Sequence, residues 1–211
     1  MKLKKTRLRV LFVISSLFAI IFSFVNFREQ LHQGYLKWNQ SADIVMFGDS
    51  HTVYGKWNVM IHQYSVVKYA WGGYTSEMLV DKISRSIPFK PKYVFILCGG
   101  NDIYDDSFSV ENTLHNFKLM ADTLRDNNVT PVFQKLMYKH DDPEFNTTID
   151  SINRALTNYC LKEQIDMIDI GGKDMYDSTG LKASLTTDNL HLNEKGYTIW
   201  SKAINSYLEN H

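Results

Sequence analysis

Ile44-Val45-Met46-Phe47-Gly48-Asp49-Ser50 is the stretch from which the rest of this sequence is read. Its first four residues are apolar on both alternations, the pattern of a parallel strand buried on both faces. The run then stops in Gly-Asp-Ser, and polar, turn-like residues follow. Open α/β sheets bind their ligands outside the carboxyl ends of their strands. Ser50 is therefore a candidate nucleophile, provided that later segments supply the groups that a reactive serine needs.

Four further apolar runs lie downstream. Residues 65–71 read as a second strand, followed by Gly72-Gly73-Tyr74-Thr75-Ser76, a tight turn with a helix cap at Thr75 or Ser76. Residues 93–98 are apolar throughout and predict a central third strand, ending in Gly99-Gly100-Asn101-Asp102. Residues 130–137 and 165–170 predict strands four and five, the last closed by Gly171-Gly172. Helices are expected over 77–85, 110–127, 149–163 and 194–208, with Val110, Leu114, Phe117, Met120, Ala121 and Leu124 at helical spacing in the second. Residues 138–145, with His140, Asp141 and Asp142, read as a solvated loop, and 173–187 as a long irregular stretch. Strands alternating with helices predict a three-layer α/β/α sandwich around a flavodoxin-like, five-stranded parallel sheet.

The chain of 211 residues carries 23 basic and 23 acidic side chains. That balance argues against a nucleic-acid partner, which calls for excess Lys and Arg. Cys98 and Cys160 form no metal-ligand spacing; two buried thiols are favoured, with a disulfide left open. The first nine residues hold Lys2, Lys4, Lys5, Arg7 and Arg9 with no acid, and residues 10–27 are almost wholly apolar. At about 1.5 Å per residue that run crosses close to a bilayer core. An uncleaved transmembrane anchor is favoured over a cleaved signal peptide, because no A-x-A-like site follows. Either reading puts the domain outside the cytoplasm. The expected organisation is a basic start and anchor over 1–27, a linker over 28–41 and a domain over 42–211.

A serine hydroxyl needs a base, a group that orients the base, and donors for an oxyanion. Ser50 follows strand one; Gly73, whose N–H no side chain shields, follows strand two; and Asn101, with an amide to offer, follows strand three. Asp188 and His191 stand three apart before the last helix, a spacing at which a carboxylate reaches an imidazole. Asp49 and Asp102 are expected to brace their own turns, and His62, His115 and His140 to be surface residues. Tyr54, Trp57, Trp71, Tyr74 and Tyr104 are open to either a substrate-binding rim or core packing.

Gly48-Asp49-Ser50, Gly73, Gly99-Gly100-Asn101-Asp102 and Asp188-Asn189-Leu190-His191 together resemble the four blocks of the SGNH (GDSL) hydrolases. The resemblance runs from about residue 42 to the end. It implies Ser50 as nucleophile and oxyanion donor, Gly73 and Asn101 as further donors, His191 as base and Asp188 as its orienting acid. It also implies hydrolysis of acyl esters of small molecules, glycans or lipids, without metal or cofactor. Two departures stand out. His51 follows the serine where the family's esterases more often carry an aliphatic residue, which resembles domains linked to polysaccharide O-acetylation and leaves an O-acyltransferase as the alternative. Tyr69-Ala70-Trp71 stands where an asparagine often precedes the second block's glycines. His51 itself is open to a substrate-facing, a structural or a solvent-facing role.

Overall fold

The computed structural model describes residues 41–211 and, ahead of them, Phe27, Leu31, Gln33, Gly34, Tyr35 and Trp38. All five apolar runs enter one parallel sheet: β1 Ile44–Gly48, β2 Val66–Ala70, β3 Tyr93–Leu97, β4 Thr130–Gln134 and β5 Asp166–Ile168. The order is β2-β1-β3-β4-β5. Strand order therefore reverses between β1 and β3, the place where such sheets open a crevice. β1 and β3 are buried along their whole length. Their close approach needs Gly48, because a Cβ there would stand 2.0 Å from the Leu97 carbonyl oxygen.

Alternation along β1 sends Val45 and Phe47 to one face and Ile44 and Met46 to the other. The first face is covered by α3 Ser76–Ile83, α4 Val110–Arg125 and α5 Pro143–Glu163, through Leu79, Phe117 and Leu156. The second is covered by α2 Trp57–Met60 and α7 Glu194–Glu209, through Trp57, Trp200 and Ile204. Each such side chain contributes about 1.5–3 kcal/mol by leaving water. Phe117 is fully buried and edge-on to Phe133 at 5.2 Å, and Phe117→Ala would cost about 3–5 kcal/mol.

Several boundaries differ from the expected ones. β4 ends at Gln134, and beyond it the backbone N–H and C=O of Leu136 are taken by the Asn153 side chain at 2.7 and 3.0 Å, leaving no ladder to continue. β5 stops at Ile168 because Asp169 Oδ1 accepts from the N–H groups of Gly171 and Gly172 and turns the chain. α5 begins at Pro143, inside the expected loop over 138–145. Asp142 Oδ1 accepts from Phe145 N at 3.1 Å, and Pro143 sits in the first turn, where a missing N–H costs nothing. The stretch over 173–187 is not irregular throughout: it holds the turn α6 Gly172–Met175, the antiparallel pair β6 Tyr176–Asp177 and β7 Gly180–Leu181, and a 3₁₀ turn at Ala183–Leu185. His140, expected at the surface, is half-buried with Nδ1 2.8 Å from the Leu181 carbonyl oxygen, whereas His62 and His115 are exposed. Cys98 and Cys160 are free and buried.

The expected membrane helix over 10–27 lies outside the described residues, Phe27 excepted. Among the described residues no helix is long and apolar enough to cross a membrane. Phe27, Leu31, Tyr35 and Trp38 are each helical and exposed. Gln33, by contrast, is half-buried. The Gln33 amide donates to Val66 O at 2.8 Å and accepts from Lys68 N at 2.9 Å, along the side of edge strand β2 that faces away from β1.

Candidate active site

Ser50 opens α1, Ser50–Tyr54, directly after β1. Asp49 is extended and caps that turn, its Oδ1 accepting from His51 N at 3.0 Å, as its expected bracing role requires. Burial outweighs this bond and pushes the Asp49 carboxyl up to about 7. After β2, Trp71 N donates to Gly48 O at 3.0 Å and brings the glycine turn alongside. Gly73 has φ +76°, and a Cβ there would meet nothing within 4 Å; backbone conformation, not crowding, calls for glycine. After β3, Asn101 opens a 3₁₀ turn, Asn101–Tyr104, and its Nδ2 donates to Tyr74 O at 3.0 Å.

The Asp188–His191 turn completes the edge. Asp188 Oδ1 accepts from the N–H groups of Leu190 and His191 at 3.0 and 2.7 Å. Asn189 takes the left-handed conformation that this tight turn demands, with φ +69°. Asp188 Oδ2 stands 2.7 Å from His191 Nδ1, and His191 Nε2 stands 2.9 Å from Ser50 Oγ. With the Nδ1 proton donated to Asp188, Nε2 is left to accept from the serine hydroxyl, the tautomer that this network selects. Burial opposes ionisation of Asp188, but the His191 ring and the two backbone donors outweigh it and hold the carboxyl well below the usual range. Hydroxyl, imidazole and carboxylate thus form one chain, able to draw a proton from the hydroxyl and return it.

Ser50 and Asn101 line one cavity of about 30 Å³. Gly73 is not among its lining residues, although its neighbour Gly72 is close: a Cβ there would stand 3.9 Å from Ser50 Cβ. Among the described residues neither the Ser50 nor the Gly73 backbone N–H has an acceptor.

Asp102 does not brace its own loop: it accepts from Ser76 N at 2.7 Å, Ser76 Oγ at 2.5 Å and Thr113 Oγ1 at 2.8 Å, tying α3 and α4 to the Asn101 turn. Trp57 belongs to the core, its Nε1 donating to Thr52 O at 2.8 Å. Tyr54 and Tyr104 are exposed; the Tyr54 ring stands edge-on to His191 at 5.2 Å. Trp71 and Tyr74 stack on each other, half-buried. His51 is buried, its ring 5.3 Å from that of His191, and Nδ1 has no partner among the described residues. Burial first, and then the neighbouring His191, lowers its pKa to about 3, so the ring stays neutral. Lys139 was not singled out from the sequence, and it lines the same cavity as Ser50.

Known proteins match this frame. Residues 46–199 match the GDSL-like lipase/acylhydrolase family. A curated relative, the N-acylneuraminate cytidylyltransferase of Streptococcus agalactiae serotype III (strain NEM316), is 26% identical over 165 residues. The match takes in 77% of this chain but only 38% of that protein's length. A GDSL-like lipase from Bacteroides thetaiotaomicron VPI-5482 superposes with a TM-score of 0.72 at 19% identity, covering 79% of this chain and 87% of that one. An acetylxylan esterase from Geobacillus stearothermophilus superposes with a TM-score of 0.66 at 15% identity, covering 77% and 92%. These structures share the fold, and the family match spans most of the sheet, the Ser50 turn and the Asp188–His191 turn. The chain therefore belongs to the GDSL-like lipase/acylhydrolase family.

Proposed function

We propose that this chain removes short acyl groups, acetyl foremost, from hydroxyls of a sugar. One observation carries the reading: the Ser50–His191–Asp188 chain opens on a cavity of only about 30 Å³. A water needs roughly 10–15 Å³ of such space, so the innermost part of the cavity suits a methyl group. Ser50 Oγ attacks the ester carbonyl carbon while His191 Nε2 takes the hydroxyl proton and Asp188 steadies the ring. Charge gathering on the carbonyl oxygen is met by the Ser50 and Gly73 N–H groups and the Asn101 amide. The ester C–O bond then breaks, with His191 returning the proton to the sugar oxygen. Water attacks the acyl-serine with His191 again as base, releasing the carboxylic acid and restoring Ser50.

A sugar substrate is supported by the N-acylneuraminate in the curated relative's name, by the xylan in the structural neighbour's, and by exposed Tyr54 and Tyr104 beside the site. Transfer of the acyl group to a second sugar would use the same residues. Hydrolysis is favoured because the Asp188 side chain is 50% exposed and that of His191 25%, so water reaches the base. The test is turnover of p-nitrophenyl acetate, butyrate and octanoate by the wild type and Ser50→Ala. Acetate is expected to be fastest. Ser50→Ala is expected to lose on the order of 10⁴-fold or more with unchanged circular dichroism. Octanoate cleaved as fast as acetate would remove the short-acyl reading. A Ser50→Ala variant retaining more than a few per cent would remove the nucleophile.

We also infer that the protein is held at a membrane, with the domain outside the cytoplasm. The basic first residues, the apolar run over 10–27 and exposed Phe27, Leu31, Tyr35 and Trp38 support this. Full-length protein is expected in the membrane fraction. A soluble mature form starting beyond residue 20 would show a cleaved signal instead.

A further inference from the structure

Lys139 is held unusually firmly for a lysine beside a cavity. Its backbone N–H donates to Asn146 Oδ1 at 2.8 Å, and its carbonyl accepts from Asn146 Nδ2 at 3.0 Å and Leu181 N at 3.1 Å. Its stem lies across two aromatic rings, with Nζ 4.4 Å from the centre of Phe145 and 5.0 Å from that of Tyr104, and Nζ donates to the Tyr104 hydroxyl. The side chain is only 18% exposed. Lys139, Tyr104 and Phe145 line the cavity that also holds Ser50 and Asn101.

Among the described residues the ammonium has one carboxylate partner within reach. Asp142 Oδ2 stands 3.4 Å from Nζ, while its Oδ1 is committed to the cap of α5. Asp49, the carboxylate in the same lining, is the one that burial pushes up to about 7. Burial works against the ammonium as well, but Tyr104 and Asp142 outweigh it and keep Lys139 protonated. Packing alone does not call for a cation here. A methionine would cover the same rings without bringing a charge out of water.

We infer that Lys139 reads an anionic group, a carboxylate or a phosphate, on the molecule that carries the ester. The inference rests on the esterase reading above and narrows its substrate class to acylated sugar acids or sugar phosphates. A neutral ester leaves the ammonium to Asp142, Tyr104 and water. An anionic one adds a charge-assisted hydrogen bond in a half-dry cavity, where such bonds are strongest. Lys139 is on this account a specificity residue, distinct from the groups that move protons.

The test compares kcat/KM for an O-acetylated hexose, an O-acetylated hexuronic acid and an O-acetylated hexose phosphate, in wild type, K139M and K139R. Wild type is expected to prefer one anionic ester over the neutral one by about tenfold or more, the scale of one charge-assisted hydrogen bond. The preferred ester tells carboxylate from phosphate. The ratio is expected to fall to near one in K139M, to survive in K139R and to shrink with added salt. Because each ratio is taken within one preparation, partial unfolding of a variant does not alter it. A wild-type ratio near one for both anions, or an unchanged ratio in K139M, overturns the inference while leaving the esterase reading in place. Failure to cleave all three esters and p-nitrophenyl acetate overturns both.

Discussion

Asp188 sits half in water within a four-residue turn, and Asp102 is buried beneath the same edge of the sheet. Both carboxylates accept three short hydrogen bonds. Asp188 takes two from its own turn and one from an imidazole, so its chain contacts are local and its third partner can change charge. Asp102 takes its bonds from Ser76 and Thr113, residues on two other segments, and none of those donors titrates near neutrality. The difference teaches how a carboxylate proposed to react can be told from one that braces. What matters is who donates and whether water can reach the group, more than the number of bonds.

Substitutions should part the two regions cleanly. Asp188→Asn is expected to lower kcat by about 10³-fold with little change in Tm. The amide favours the wrong His191 tautomer, and exposure to water softens the roughly 10⁴-fold loss seen when such an aspartate is fully buried. A comparable fall in Tm would put Asp188 on the bracing side. Asn101 stands where the regions meet: it lines the Ser50 cavity yet donates to Tyr74 O. Asn101→Ala is expected to cost about 10²-fold in kcat per folded molecule and little in KM, as for an oxyanion donor. An unchanged kcat with a lower Tm would leave it a brace alone. Asp102→Ala is expected to destabilise by about 3 kcal/mol, or roughly 10 °C in Tm, because it strands buried donors on Ser76 and Thr113. Its kcat per folded molecule should fall less than tenfold; a loss as large as that of Asp188→Asn would erase the distinction.

The smallest effect concerns the buried pair flanking Ser50. Burial raises the Asp49 carboxyl from 3.8 to about 7, so the folded state keeps a proton that the unfolded chain releases in this window, and stability falls as pH rises through it. Burial lowers His51 from 6.5 to about 3, so the unfolded chain takes up a proton that the folded state refuses, and stability falls as pH drops through that window. The two oppose between about pH 4 and 6.5, and the wild type should be nearly flat there. Asp49→Asn should then gain stability as pH rises over this range, and His51→Gln should lose it, each by roughly 1–3 kcal/mol. Urea unfolding at several pH values measures both slopes; flat curves in both variants would remove the assignment.

The sheet and the ends of its first three strands were legible because burial on both faces leaves unbroken apolar runs, and because Gly, Asn and Ser at their ends have few other uses. The order β2-β1-β3-β4-β5 agrees with the expected flavodoxin-like sheet. Ser50, His191 and Asp188 were legible as residue types; their meeting across 141 positions was expected from the fold and not from spacing. The start of α5 was missed although Asp142-Pro143 is a cap followed by a first-turn proline, because three polar residues beside it read as solvated loop. The bonds of Asp102 to Ser76 and Thr113 were out of reach, since local spacing says nothing about which distant helix start will pack against a turn. Trp57 and Tyr54, three residues apart, ended in core and solvent respectively; one faces α7 and the other does not, and composition cannot separate them.

The Gln33 amide, which donates to Val66 O and accepts from Lys68 N, imitates one residue of a sixth strand. An open edge of paired donors and acceptors is a template on which a second chain can add. Gln33 occupies that template at its midpoint with a group too short to propagate it. A shortened protein beginning at Asp43 would keep every proposed reacting group and lose both Gln33 bonds, while Asn58 Oδ1 still accepts from Val66 N at 3.2 Å. Soluble forms for assay should accordingly start upstream of Gln33, and a Gln33→Ala protein should melt below the parent, because it loses both bonds to β2.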